Sequence, residues 1–423
     1  MDPTSDTFQD GEAPQRRPQV SNRIIIICLV LQCIIGLASL RHIPVDFFSE
    51  SDWRLSADTS IPVGDFIVFH TAGTLAAERD FETLYDHTKL PKYLSANYGV
   101  KSLNLHFSYP PVALMLLEPF AELDLVTAWR IWTFIGISLL GVALYLLTKR
   151  WWVVVFMLAN PLVFWAVLTG QMVLILAPLM LIGYLLHQRQ KPLASGLVFG
   201  LIIVKPHLAL ALPIIFLWTK DWRTIIGASI TVAGLLGLTW FTYGGAPWQS
   251  FIAHAVGNAE INLEVAPGVF YNMMTPTIYA TLFGAPKAIV ISAQLLGVAA
   301  AIWLVYRLWI TTPERYNEGR LSVMFLAPAL MSPYLVAYDL MGLGIVMIYS
   351  QMLVINQLRM GEPVDLRVFY TTLLLLLLSL SVIIKVIPLH YLFPPIVIGL
   401  IALLLSRAKS MESRPHGILI GNS

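Results

Sequence analysis

Ionisable side chains are rare along most of this chain, so the few that interrupt apolar stretches are where chemistry must be sought, because charge at membrane depth is costly without a partner or a task. Asp65, in Gly64-Asp65-Phe66, opens the segment Asp65–Ala77 (DFIVFHTAGTLAA), which reads as an amphipathic helix with His70 on it. An aspartate there can cap the helix, or serve as a general base that takes a proton from an attacking hydroxyl. Lys205-Pro206-His207 lies between two short apolar runs. A lysine at a broken helix can anchor a phosphate as a point charge, or it can snorkel to the headgroups. Ser332-Pro333-Tyr334 followed by Tyr338-Asp339 supplies a second carboxylate at the junction of two apolar runs, and a cap after a short turn explains it equally well.

Further polar residues fall among the same stretches. Tyr109, in His106-Phe107-Ser108-Tyr109-Pro110-Pro111, carries a polar tip on an apolar body, which suits a membrane interface as well as a site. Gln171 in Thr169-Gly170-Gln171 and Arg130 in Trp129-Arg130-Ile131-Trp132 complete a polar set, and Arg130 can bridge a phosphate or pair with a carboxylate. His254, Glu260 and His390 are weaker candidates for acceptor contact.

The elements that position these residues are membrane helices. The chain is 57% hydrophobic and 12% charged, against about 25% charged in soluble domains. A net charge of +2 gives no basic face for nucleic acid. Cys28 and Cys33 are the two cysteines, both in the first apolar run, and form no ligand set with zinc spacing. With roughly 20 apolar residues per crossing, twelve spans are expected: Ile24–Leu40, Val126–Thr148, Trp151–Leu168, Met172–His187, Leu193–Val204, Leu208–Thr219, Thr224–Tyr243, Ala288–Trp309, Leu321–Ala337, Leu340–Ile355, Val368–Lys385 and Tyr391–Ser406.

Arg16, Arg17 and Arg23 put the N-terminus in the cytoplasm, and the basic residues of the later short loops then fall on that same side. The expected organisation is a disordered cytoplasmic tail at 1–22, one transmembrane domain at 23–408 with outer loops at 41–125 and 244–287, and a cytoplasmic tail at 409–423. Both termini are cytoplasmic in this reading, and the site opens on the periplasmic side of the inner membrane. Pro110–Ala121 is apolar but short, and is read as a helix dipping into the membrane or lying on its face.

Asp-x-Asp, P-loop and strand-linked GxGxxG signatures are all missing, so a nucleotide-sugar donor is not indicated, and neither a metal nor a cofactor is expected. In order along the chain, Gly64-Asp65-Phe66, Tyr85-Asp86, Tyr109-Pro110-Pro111, Pro119-Phe120, Gly170-Gln171, Lys205-Pro206, Ser332-Pro333 and Tyr338-Asp339 resemble glycosyltransferase family 87. That family comprises polyprenyl-phosphate-mannose-dependent α-mannosyltransferases of the GT-C fold. The resemblance implies an all-α polytopic bundle whose large first outer loop carries amphipathic helices and roofs the site. It implies a polyprenyl-phosphate sugar donor, a lipid or glycan acceptor, and Asp65 as base in a single inverting displacement. The donor phosphate falls to Lys205, with Arg130 and His207 behind it. Two other readings compete: a secondary transporter, favoured by the broken helix at Lys205, and a non-catalytic envelope-assembly protein.

Overall fold

Hydrocarbon offers no hydrogen-bond partner, so a chain this apolar satisfies its backbone internally by forming helices. The computed structural model of the protein describes residues 65–99, 105–158, 160–254, 273–314, 316–384 and 389–412, together with Ile27, Val30 and Ile34. Among them every regular element is a helix, and an isolated antiparallel bridge joins Met273 to Val336. The tail at 1–22, Cys28, Cys33, most of the span Ile24–Leu40, residues 41–64, Glu260, the side chain of His390 and residues 413–423 lie outside the described residues.

In chain order the helices are α1 (Phe66–Ala77), α2 (Phe81–Tyr85), α3 (Lys89–Tyr98), α4 (Leu114–Leu117), α5 (Leu125–Thr148), α6 (Trp152–Leu158), α7 (Pro161–Leu168), α8 (Val173–Gln188) and α9 (Pro192–Gly200). There follow α10 (Ala211–Trp218), α11 (Trp222–Tyr243), α12 (Pro276–Leu282), α13 (Lys287–Val305), α14 (Asn317–Met331), α15 (Met341–Arg359), α16 (Leu366–Ile384) and α17 (Leu389–Glu412). Among the described residues four helical stretches are long and apolar enough to cross a bilayer: Leu125–Thr148, Trp222–Tyr243, Lys287–Ile310 and Ala337–Arg359. The outward faces of α11 and α13 are apolar, with Ile230, Phe241, Ile291 and Leu296 all exposed, whereas α15 is buried on nearly every side. Apolar residues on the outside of a helical bundle suit lipid as the surrounding solvent. This is an all-α membrane protein.

Several boundaries differ from those expected, and prolines account for them. The stretch Trp151–Leu168, read as one span, is two helices. Asn160 is extended (ψ 126°) ahead of Pro161, and its side chain accepts from Leu162 N–H at 2.9 Å. A residue before proline is pushed out of the helical region. Ser332 is likewise extended (ψ 136°) before Pro333, so α14 stops at Met331 rather than at Ala337. At Lys205-Pro206 the two short helices do meet at an elbow, with Lys205 at φ −138° between two 3-10 turns, Leu201–Val204 and Pro206–Ala209.

The largest correction concerns Asp65–Ala77. It is no amphipathic helix lying on a surface: Phe66, Val68, Phe69, His70, Thr71, Ala72 and Leu75 are buried on all sides of α1. The amphipathic helix of this loop is α3, where Leu90 and Leu94 turn inward and the polar residues outward. α1 packs against Pro111–Phe120, a run of short helical turns. Ten residues at about 1.5–2 Å each cover less than the ~30 Å hydrocarbon core. Gly73 permits that packing, since a β-carbon there would lie 2.5 Å from the carbonyl oxygen of Leu117.

Candidate active site

Five aspartates stand immediately before helices in the described residues, and four of them cap. Asp80 accepts from Thr83 N–H, Asp124 from Val126 and Thr127 N–H, Asp221 from Thr224 N–H, and Asp365 from Arg367 N–H. Asp65 does not. Its backbone is already helical (φ −71°, ψ −11°), and its side chain makes no cap hydrogen bond. The capping explanation of Asp65 therefore fails, and its carboxylate is turned elsewhere, toward the amide of Gln171 and the hydroxyl of Tyr338.

Local structure explains how Gln171 arrives. α7 ends in a Schellman arrangement: Gly170 N–H donates to Val167 O at 3.1 Å and Gln171 N–H donates to Ala166 O at 2.9 Å. Gly170 adopts φ +60°, and a β-carbon there would sit 2.5 Å from Phe66 Cβ. Glycine thus serves twice, taking the left-handed conformation and letting the end of α7 press against the first residue of α1. The consequence is that Gln171, fully buried, donates Nε2–H to Asp65 Oδ2, while its Oε1 is buried with no hydrogen-bond partner among the described residues.

The elbow at Lys205 and the turn after α14 supply the other half of the cluster. Lys205 Nζ donates to Asp339 Oδ1 at 2.5 Å, and His207 Nε2 stands 3.4 Å from Asp339 Oδ2. The ammonium lies 4.9 Å from the Tyr338 ring centre and 5.4 Å from that of Tyr109. Tyr85 Oη–H donates to the carbonyl of Tyr109 at 3.1 Å and fixes that strand of backbone. The turn bearing Tyr338 and Asp339 is set by Ser332, which accepts from Tyr334 N–H at 3.0 Å, and by Met274 N–H donating to Leu335 O at 2.8 Å. Lys205, Asp339 and Gln171 are buried, whereas Asp65, Tyr109, Tyr338 and His207 keep part of their surface open.

The aspartates of the segment 65–124 differ electrostatically as they differ in geometry. Burial pushes the Asp65 carboxyl above its usual value, against the pull of Lys205 and of the Gln171 hydrogen bond. At Asp86 slight burial also pushes upward, but Thr88 and Lys89 donors outweigh it and hold the carboxyl at about 2. Asp124 is lowered by its Thr127 hydrogen bond. Burial pushes the Tyr109 hydroxyl up to about 12, so it remains a neutral donor. A carboxylate whose proton affinity is raised toward neutrality is better matched to general-base work than one held at 2.

Other residues singled out in the sequence lie apart from this cluster. His70 is buried in α1, its Nε2 2.8 Å from Leu123 O and its Nδ1 3.3 Å from Tyr98 Oη. His254 faces the His87 ring at 6.4 Å. Arg130 is exposed on α5, and no described contact joins it to Asp65, Lys205 or Asp339. The pairing of Lys205 with Asp339 was not foreseen from the sequence, since 134 positions separate them.

The model of glycosyltransferase family 87 matches residues 107–333, more than half of the chain. The protein belongs to glycosyltransferase family 87. It is therefore a transferase that takes a sugar donor and an acceptor, and the transporter reading has no such support. No curated protein and no solved structure matches the chain. For a family 87 enzyme, the match begins at Phe107, two residues before Tyr109, and covers Gln171, Lys205 and His207, but not Asp65 or Asp339. No group of three or more His, Cys, Asp or Glu side chains able to hold a metal occurs among the described residues.

Proposed function

We propose that this enzyme moves a sugar, mannose by family habit, from a polyprenyl-phosphate donor to a hydroxyl of a lipid or glycan acceptor on the extracytoplasmic face of the inner membrane. Asp65 takes the proton from the acceptor hydroxyl. The oxygen then attacks the anomeric carbon from the face opposite the phosphate. The bond between that carbon and the phosphate oxygen breaks, polyprenyl phosphate leaves with the electron pair, and the configuration inverts. Lys205 is the cation for the leaving phosphate: of its three N–H donors, one is given to Asp339 and another has the Tyr109 hydroxyl within reach. Preorganised positive charge at a developing phosphate is usually the largest contribution to such a rate.

The observation that carries this reading is the single cluster uniting a non-capping Asp65 with Lys205, on the partly open side of which Tyr109, Tyr338 and His207 lie. His207 is assigned to support of the phosphate through Asp339. Arg130, exposed and apart, is assigned to the donor's approach from the membrane.

The test is to incubate purified protein with radiolabelled polyprenyl-phosphate sugars and total membrane lipid, and to identify the product. Transfer of one sugar with inverted configuration is expected, and its loss in Asp65→Asn with unchanged folding. Transfer from a nucleotide sugar alone, or normal turnover in Asp65→Asn, would overturn the assignment.

A further inference from the structure

Counting charge in the cluster exposes a deficit. Asp65 and Asp339 are two carboxylates, and among the described residues Lys205 is the fixed cation beside them. Resting on the donor reading above, a phosphodiester brings one more negative charge. It enters a place where Lys205 and Asp339 keep only 5% and 2% of their side-chain surface. Burying an unanswered charge is costly, so tight donor binding requires a further positive charge to arrive with it.

We propose that this charge is a proton taken up from solvent by His207 when the donor binds. Asp339 is built to manage the exchange, because its two oxygens face one cation and one group that can become one: Oδ1 is on Lys205 at 2.5 Å and Oδ2 is 3.4 Å from His207 Nε2. Once His207 is protonated, Asp339 is neutralised by the imidazolium, and the Lys205 ammonium is released to the phosphate. The His207 side chain is 28% exposed, so a proton can reach it from water. Imidazole is also the one side chain whose ordinary pKa lies between pH 5 and 8. Asp65 stays ionised in this scheme and keeps its function as base.

Among the described residues the surroundings of His207 offer no rival. α10 carries no ionisable residue, and α14 carries its two, Glu318 and Arg320, in its first turn, where Glu318 is held by Arg407 and Ser350 and Arg320 lies against Trp309. The groups facing His207 are therefore Asp339 and, beyond it, Lys205, with Tyr109, Tyr338 and Asp65 completing the cluster.

Isothermal titration of the full-length protein in detergent with a short-chain prenyl-phosphate mannose, without acceptor, tests the idea. A phosphodiester does not itself titrate near neutrality, so heats measured at one pH in buffers of different ionisation enthalpy count the protons taken up by the protein. Up to about one proton per donor is expected for the wild type, with affinity weakening about tenfold per pH unit above the histidine's pKa. His207→Asn loses the uptake and binds more weakly. His207→Lys, carrying a permanent charge, binds without uptake and with affinity independent of pH, a result that a merely structural histidine would not give. Binding without proton uptake in the wild type, or uptake persisting in His207→Asn, would overturn the proposal while leaving the donor assignment intact. Failure of the prenyl-phosphate sugar to bind at all, with a nucleotide sugar binding instead, would remove the donor assignment and this inference together.

Discussion

The two ends of the helical bundle are furnished with charge in opposite ways. At one end Asp65, Asp339 and Lys205 gather with two carboxylates to one fixed cation, and a buried amide oxygen on Gln171 accepts nothing. At the other end Glu318 and Asp365 meet Arg407 and Arg367, two against two. Arg407 Nε is 3.0 Å from Glu318 Oε2. Arg367 grips Asp365 with two hydrogen bonds of 2.9 Å, and Ser350 Oγ–H donates to Glu318 Oε1 at 2.8 Å. That network ties α14, α15, α16 and α17 together with its opposite charges paired. α8 runs between the two ends, from Gln171 just before it to Gln188, where Gln188 and Tyr184 meet Asn317 of α14. At about 1.5 Å per residue that separates them by some 24 Å. A cluster whose charges balance stabilises the fold, whereas one left with excess negative charge gains by binding something positive along with its ligand.

Substitutions on each side can break this contrast. Asp65→Asn is expected to have the largest effect, lowering sugar transfer by about 10³-fold, in the range attributed to a general base, with the thermal unfolding midpoint unchanged. A large drop in that midpoint would move Asp65 into the structural class. Glu318→Ala is the mirror image. Leaving Asp365 alone to answer both Arg407 and Arg367 should cost roughly 3 kcal/mol of stability, read as a lower unfolding temperature, with the turnover of the remaining folded molecules near normal. Gly170→Ala comes next. It must strain the backbone at φ +60° and push Phe66 away, and a fall in turnover of about tenfold or more is expected with donor affinity little changed, because the displaced group is Gln171 and not Lys205.

The smallest effect is a shift in pH dependence. Burial raises the Asp65 pKa, and the Gln171 hydrogen bond holds it down. Asp65 works as a base only when deprotonated, so activity falls as pH drops through its pKa. Gln171→Ala removes a lowering influence, so the acid limb of the kcat/KM profile should move to higher pH. An unmoved limb would show that Gln171 does not tune Asp65.

Much of the site could be read before the fold was known, because an ionisable residue in an apolar run stands out whatever surrounds it. Asp65, Tyr109, Gln171, Lys205, His207, Tyr338 and Asp339 all stood out on that ground, and all lie in one cluster. His70, His254 and Arg130 stood out on the same ground and lie elsewhere, since rarity marks a residue without saying what it faces.

The sequence by itself determined the helical class, the lipid-facing character of α11 and α13, and the elbow at Pro206, because proline geometry and apolar burial act over a few neighbouring residues. Only the tertiary structure decided that α1 is buried rather than amphipathic, that Asp65 leaves its helix uncapped to meet Gln171, and that Asp339 already holds Lys205. Those outcomes depend on which groups the packing brings together across 106 and 134 positions of chain, and no local rule of backbone or hydropathy reaches that far.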